Sequence, residues 1–170
     1  DGVVSNKFQV YNLGISADRT DLLEKRIGHE LDARARGGVV ATFIAIGVND
    51  AQFVRENDTY RVPFEDFKKH YASIIQQAKE LSGSVYLVGI TPVDDERVAV
   101  NPWNHTYGYR QVDVDRYDAA IRDLADEHGV AYIPMGDVLG HADLSDGLHP
   151  NEEGHRKMFE AVKNFVNDLL

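Results

Sequence analysis

Apolar runs alternate with amphipathic stretches along the whole chain. Phe8-Gln9-Val10-Tyr11-Asn12-Leu13 reads as a strand. Val39 to Ile46 is a continuous apolar run, the pattern of a strand covered on both faces. Val85 to Ile90 and Val130 to Pro134 read the same way. Between these runs the spacing turns helical. Asp21 with Glu24 resembles a capping box, and Leu22, Leu23, Ile27 and Leu31 follow on one face. Phe64, Phe67, Tyr71, Ile74, Ile75, Ala78 and Leu81 form a second apolar stripe. A third helix is predicted from about Val114 to His128, ahead of Gly129. The last is predicted to begin near Pro150, a residue favoured at the first helical position, and to bury Met158, Phe159, Val162, Phe165, Val166 and Leu169.

Strand-helix alternation argues for an α/β fold, a parallel sheet with helices on both faces. Ligands of such sheets bind beyond the carboxyl ends of the strands. Three polar motifs have that address. Gly14 follows the first predicted strand, Asn49 follows the second, and Asp146 and His149 lie in the loop after the last. They are far apart in sequence, so a shared address argues for one site. No repeat, low-complexity tract or linker interrupts residues 1–170, which are expected to form a single domain.

Composition narrows the partners. The chain has 170 residues, 43% hydrophobic and 27% charged, enough for one domain with a real core. Its net charge of -10 argues against nucleic acid, whose phosphates attract basic surfaces. No apolar run is long enough to span a membrane, and no basic, apolar leader opens the chain. The first residue is Asp1 rather than Met, so the original N-terminus is expected to lie further upstream. With no cysteine there are neither disulfides nor thiolate metal sites, and no compartment is indicated.

The candidate chemistry centres on Asp146-Gly147-Leu148-His149-Pro150. A general base needs a partner that fixes its tautomer. Asp146, three residues ahead across a glycine, can reach Nδ1 and leave Nε2 free to take a proton. The bland alternative is an Asp-turn-His loop that only caps the last helix. Asn49, entered through Gly47, offers an amide donor to an oxyanion. Gly14 offers a backbone N–H with no Cβ in the way. Both also suit ordinary turns. Asp50 is a candidate for orienting the loop around Asn49. His141, Asp143, Asp146, His149 and His155 do not form a zinc-ligand spacing, so no metal site is assigned. No phosphate-binding glycine loop is present. Asp94 to Asp113 is long and carries Trp103, Tyr107 and Tyr109, which could wall an acyl or sugar pocket or simply pack on one another.

Asn12-Leu13-Gly14, Gly47-Val48-Asn49-Asp50 and Asp146-Gly147-Leu148-His149-Pro150 resemble blocks II, III and V of the GDSL-type lipases and acylhydrolases, the SGNH hydrolase superfamily. The resemblance covers essentially the whole chain in the correct order. It implies a flavodoxin-like three-layer α/β/α fold with a central parallel sheet, and hydrolysis of a small-molecule ester without metal or cofactor. Carried over residue by residue, it implies that Gly14 and Asn49 form the oxyanion hole, with His149 as general base and Asp146 as its partner. The family's Gly-Asp-Ser block has no match. Gly136-Asp137-Val138 carries Val where Ser is needed, Ser16 belongs to the Gly14 loop, and Ser145 adjoins Asp146. The nucleophile is therefore expected upstream of residue 1, together with a first strand that is central in the order 2-1-3-4-5. That strand would be left out of this sequence or supplied by another chain. Two alternatives stand beside this reading. One is a non-catalytic carbohydrate-binding module on the same fold, built on Trp103, Tyr107 and Tyr109. The other is a flavodoxin-like cofactor or signalling domain, which leaves Asp146 and His149 unexplained. Among esters, the lack of a long apolar lid leans toward short acyl chains.

Overall fold

The computed structural model describes residues 3–4, 9–35 and 40–167. At its centre is a parallel sheet of three strands, Ala41–Ile44 (called β3 below), Ser84–Val88 (β6) and Ala131–Ile133 (β8), in the order β3-β6-β8. Two short strands precede it, β1 (Val3–Val4) and β2 (Gln9–Val10). Two more lie between β3 and β6, namely β4 (Phe53–Val54) and β5 (Thr59–Tyr60), and β7 is Tyr107–Gly108. The helices are α1 (Thr20–Leu23), α2 (Ile27–Asp32), α3 (Phe64–Leu81), α4 (Asp95–Val98), α5 (Gln111–His128) and α6 (Glu152–Asn167).

Period-two alternation on β6 makes the layers. Val85 and Leu87 point into a core shared with Phe67, Tyr71, Ile74 and Ala78 of α3 and Tyr117, Ile121 and Leu124 of α5. Tyr86 and Val88 point the other way, toward Met158, Val162 and Phe165 of α6. The result is the expected three-layer α/β/α arrangement, with two helices on one face and one on the other. The stripes of α3 and α5 supply the first face because their apolar residues recur at helical spacing. Gly129 closes α5 in a left-handed conformation, as its position after His128 suggests.

Four expectations change. The predicted strand over Phe8–Leu13 is only β2, and it pairs antiparallel with β1 rather than entering the parallel sheet. Val10 and Tyr11 are correspondingly exposed, and Phe8 lies outside the described residues. Second, Asp21 and Glu24 form no capping box. Asp21 pairs with Arg19 at 2.9 Å and Glu24 with His70 at 2.5 Å, and the predicted helix is split into α1 and α2. Third, β3 is not covered on both faces. Phe43 stacks on Tyr86 yet remains exposed, because α6 shelters β6 and β8 and stops short of β3. The outer edge of β3 has no strand partner among the described residues. Val39 lies outside them. Fourth, α6 begins at Glu152 rather than Pro150. Asn151 ends the loop before it and accepts the Gly154 N–H at 3.0 Å, the geometry of an N-cap. Phe159 of α6 is exposed, and Leu169 lies outside the described residues.

The segment Asp94 to Asp113 is not a bare loop. It holds α4 and β7, and β7 joins β4 and β5 in a small antiparallel sheet in the order β5-β4-β7. That sheet leads into Tyr109, whose hydroxyl reaches Asn49 in the turn that follows β3.

Candidate active site

The Asp146–His149 turn is built almost entirely from its own atoms. Asp146 Oδ1 accepts the backbone N–H groups of Leu148 (3.0 Å) and His149 (2.8 Å), and Oδ2 takes His149 Nδ1 at 2.7 Å. Gly147 makes this possible, since its φ of +91° is unfavourable for other residues and a Cβ there would meet Arg97 at 2.8 Å. Partial burial pushes the Asp146 pKa up, but the three hydrogen bonds and the imidazole outweigh it and hold the carboxyl below its usual range. Asp146 is thus an anion at neutral pH. It keeps the proton of the imidazole on Nδ1 and leaves Nε2 as the acceptor. His149 is well exposed, and the ring of Trp103 meets it edge-on at 5.0 Å between centroids.

Asn49 sits in the turn after β3. Gly47 starts that turn with φ +134°, and its carbonyl accepts from the N–H groups of Asp50 and Ala51 at 3.1 Å. The Asn49 side chain is gripped from both sides. Its Nδ2 donates to the carbonyl of Asp18 at 3.1 Å, and its Oδ1 accepts from the Tyr109 hydroxyl at 3.1 Å. Nδ2 keeps a second proton for another acceptor.

Asp50 is fully buried and ties this turn to the first residue of α1, Thr20. Its Oδ1 accepts from both the backbone N–H and the hydroxyl of Thr20. Burial pushes its pKa up to about 6 despite these two bonds. These bonds anchor the Asn49 turn to α1.

The remaining candidates divide. Gly14 is partnered within its own loop, where its N–H donates to Asn12 Oδ1 at 2.9 Å. It is linked to the Asn49 turn only through Asp18 and Thr20 further along. Trp103 flanks His149, whereas Tyr107 lies under the guanidinium of Arg61 at 5.1 Å. Tyr109 is not on an open wall, because it is 1% exposed. Its hydroxyl also accepts from Gln52 Nε2, and Gln52 Oε1 in turn accepts from Arg61 at 2.6 Å. Sequence reasoning did not find Gln52, Arg61 or Asp18, since no spacing links them to Asn49. Among the described residues, no hydroxyl is hydrogen-bonded to the His149 ring. Ser145 is four residues away, but its Oγ donates to the His149 carbonyl at 3.0 Å. No group of three or more His, Asp and Glu side chains among the described residues is arranged to hold a metal ion.

A layered α/β sheet with an Asp–His turn and an amide-bearing turn is the arrangement that the resemblance to SGNH hydrolases implies. Comparison with known sequences gives the family, as the GDSL-like lipase/acylhydrolase family matches residues 3–157. The chain belongs to it. No curated protein matches the sequence. Solved structures do. An acetylxylan esterase from Geobacillus stearothermophilus is similar at 22% identity, with a TM-score of 0.68 over 91% of this chain and 70% of that one. A GDSL-like lipase from Bacteroides thetaiotaomicron VPI-5482 is similar at 21% identity, with a TM-score of 0.69 over 92% of this chain and 75% of that one. An alpha/beta hydrolase enzyme from the metagenome of Lake Arreo, Spain, is 19% identical, with a TM-score of 0.68 over 89% and 69%. At these identities the likeness concerns the fold. No described helix is long and apolar enough to cross a membrane.

Proposed function

We propose that this chain carries the base and oxyanion side of a serine ester hydrolase acting through an acyl-enzyme. His149 takes the proton of a serine hydroxyl as it attacks the ester carbonyl, and Asp146 holds the imidazole in the required tautomer. The tetrahedral oxyanion forms beside the second proton of Asn49 Nδ2, with the Gly14 N–H contributing after release from Asn12. His149 then protonates the departing alcohol, and water cleaves the acyl-enzyme. Residues 1–170 serve as a single domain. We place the serine outside the described residues, none of whose hydroxyls is hydrogen-bonded to the His149 ring, with Ser145 Oγ donating to the His149 carbonyl instead. The substrate is a small ester, with Trp103 and Tyr107 beside the scissile bond.

The observation that carries this reading is the bond from His149 Nδ1 to Asp146 Oδ2, with the imidazole otherwise open. The test is labelling of the natural full-length protein with a fluorophosphonate, followed by intact mass. One stoichiometric adduct that disappears in His149→Ala is the expected result. A folded protein with no adduct would favour a carbohydrate-binding module on this fold.

A further inference from the structure

We infer that Arg61, Gln52 and Tyr109 form a directional relay that sets which way the Asn49 carboxamide faces. The inference rests on the reading of Asn49 as the oxyanion donor. Amide nitrogen and oxygen are nearly the same size, so shape alone does not choose between the two orientations. Only the one with nitrogen toward substrate stabilises an oxyanion. The opposite one presents a carbonyl oxygen and repels it.

The relay fixes the choice by donor and acceptor logic. Arg61 can only donate, so the Gln52 atom facing it at 2.6 Å is the oxygen Oε1. Gln52 Nε2 is then the atom that meets the Tyr109 hydroxyl, and it donates there. With its oxygen accepting from Gln52, Tyr109 sends its single proton to Asn49 Oδ1 at 3.1 Å. Asn49 Nδ2 is left to donate, with one proton on the carbonyl of Asp18 at 3.1 Å and one free. The far end enforces the same sense, because the Asp18 carbonyl can only accept. Reversing every bond would set donor against donor at Arg61 and acceptor against acceptor at Asp18. Gln52 and Tyr109 are 2% and 1% exposed, so water is poorly placed to repair either conflict. Gln52 is also held by its main chain, whose carbonyl accepts from the Arg61 N–H at 2.9 Å.

Gln52, Tyr109 and Arg61 are positioning residues here, and the informative substitution is Gln52→Glu. It conserves size and reinforces the pairing with Arg61, so a purely structural role predicts little harm. A carboxylate has no proton to give, however. It would accept the Tyr109 proton and leave the Tyr109 oxygen to seek a donor from Asn49. The Asn49 amide would lose its single orientation.

The orientation is read by 15N-edited NOE spectra of the Asn49 side-chain amide in the full-length protein, alongside turnover of 4-nitrophenyl acetate. In the wild type, the amide protons are expected to show their strongest cross-peaks to backbone protons of Asp18 and Arg19. In Gln52→Glu these should shift toward the Tyr109 ring or double, and kcat should fall by ~10²-fold with little change in KM. Wild-type cross-peaks in a folded Gln52→Glu would overturn the relay. If that variant does not fold, Tyr109→Phe serves, and retention of the wild-type cross-peaks there is equally fatal. Shifted cross-peaks in a protein that never turns over ester would support the relay and remove the hydrolase reading. Shifted cross-peaks with unchanged turnover would support the relay and remove Asn49 from the chemistry.

Discussion

The Asp146–His149 turn and the Asn49 turn are built in opposite ways. All three bonds to the Asp146 carboxylate come from within four residues, and the imidazole is exposed. The second is held by Asp18, Gln52, Arg61 and Tyr109, which span residues 18 to 109, and all of these but the half-buried Arg61 are buried. A base must present its lone pair to a reactant and needs one partner. An oxyanion donor must present nitrogen rather than oxygen, and that choice is made by the tertiary structure. Substitutions in the local turn are therefore expected to spare the fold, whereas those around Asn49 are expected to cost stability.

The largest effect is expected on the local side. His149→Ala should lower kcat by about 10⁴-fold or more while the melting temperature stays near that of the wild type. Retained turnover would remove His149 as the base, and a large loss of stability would erase the contrast between the turns. Next is Asn49→Ala, with kcat lower by ~10²–10³-fold and KM little changed. This variant should also be less stable by about 1 kcal/mol, because the buried Tyr109 hydroxyl loses its acceptor. Steady-state kinetics and denaturant titration together check both halves.

The smallest and most diagnostic effect is in pH dependence, where the two carboxylates have opposite signs. Asp146 is lowered in the folded state, so its stabilising contribution is present at neutral pH and lost as pH falls through its folded pKa. Asp50 is raised from 3.8 to about 6, so the folded state holds its proton more tightly than the unfolded chain. Its contribution is complete below pH 3.8 and is lost as pH rises through about 6. The displacement corresponds to about 3 kcal/mol. Asp50→Asn keeps an acceptor for Thr20 and does not ionise. Thermal melts of this variant should fall less between pH 4 and pH 7 than those of the wild type. Parallel melting curves would mean that Asp50 is ionised throughout.

The same contrast explains what could be read from the sequence. The Asp146–His149 turn was legible because carboxylate, glycine and imidazole lie side by side. So were the long helices α3 and α5, whose apolar stripes repeat regularly, and the β6 and β8 runs. Asn49 was legible as a residue but not as an oriented group. Tyr109 read as one aromatic of a long loop, and its hydroxyl has a role only because β7 pairs with β4 across about 50 positions. The first strand was misjudged because alternation in Phe8–Leu13 says nothing of which partner it finds. The capping box of Asp21 and Glu24 failed because Arg19 and His70 compete for those carboxylates.

The outer edge of β3, which has no strand partner among the described residues, has a consequence for how the protein behaves in bulk. A row of main-chain donors and acceptors beside an exposed Phe43 is a template for any extended chain of either direction. Whatever strand docks there also decides the colloidal state. A strand from the same polypeptide would leave a monodisperse solution, while one borrowed from a neighbour would make association grow with concentration. The net charge of -10 opposes that growth through mutual repulsion. Salt, by screening the repulsion while leaving the edge untouched, would tip the balance toward assembly.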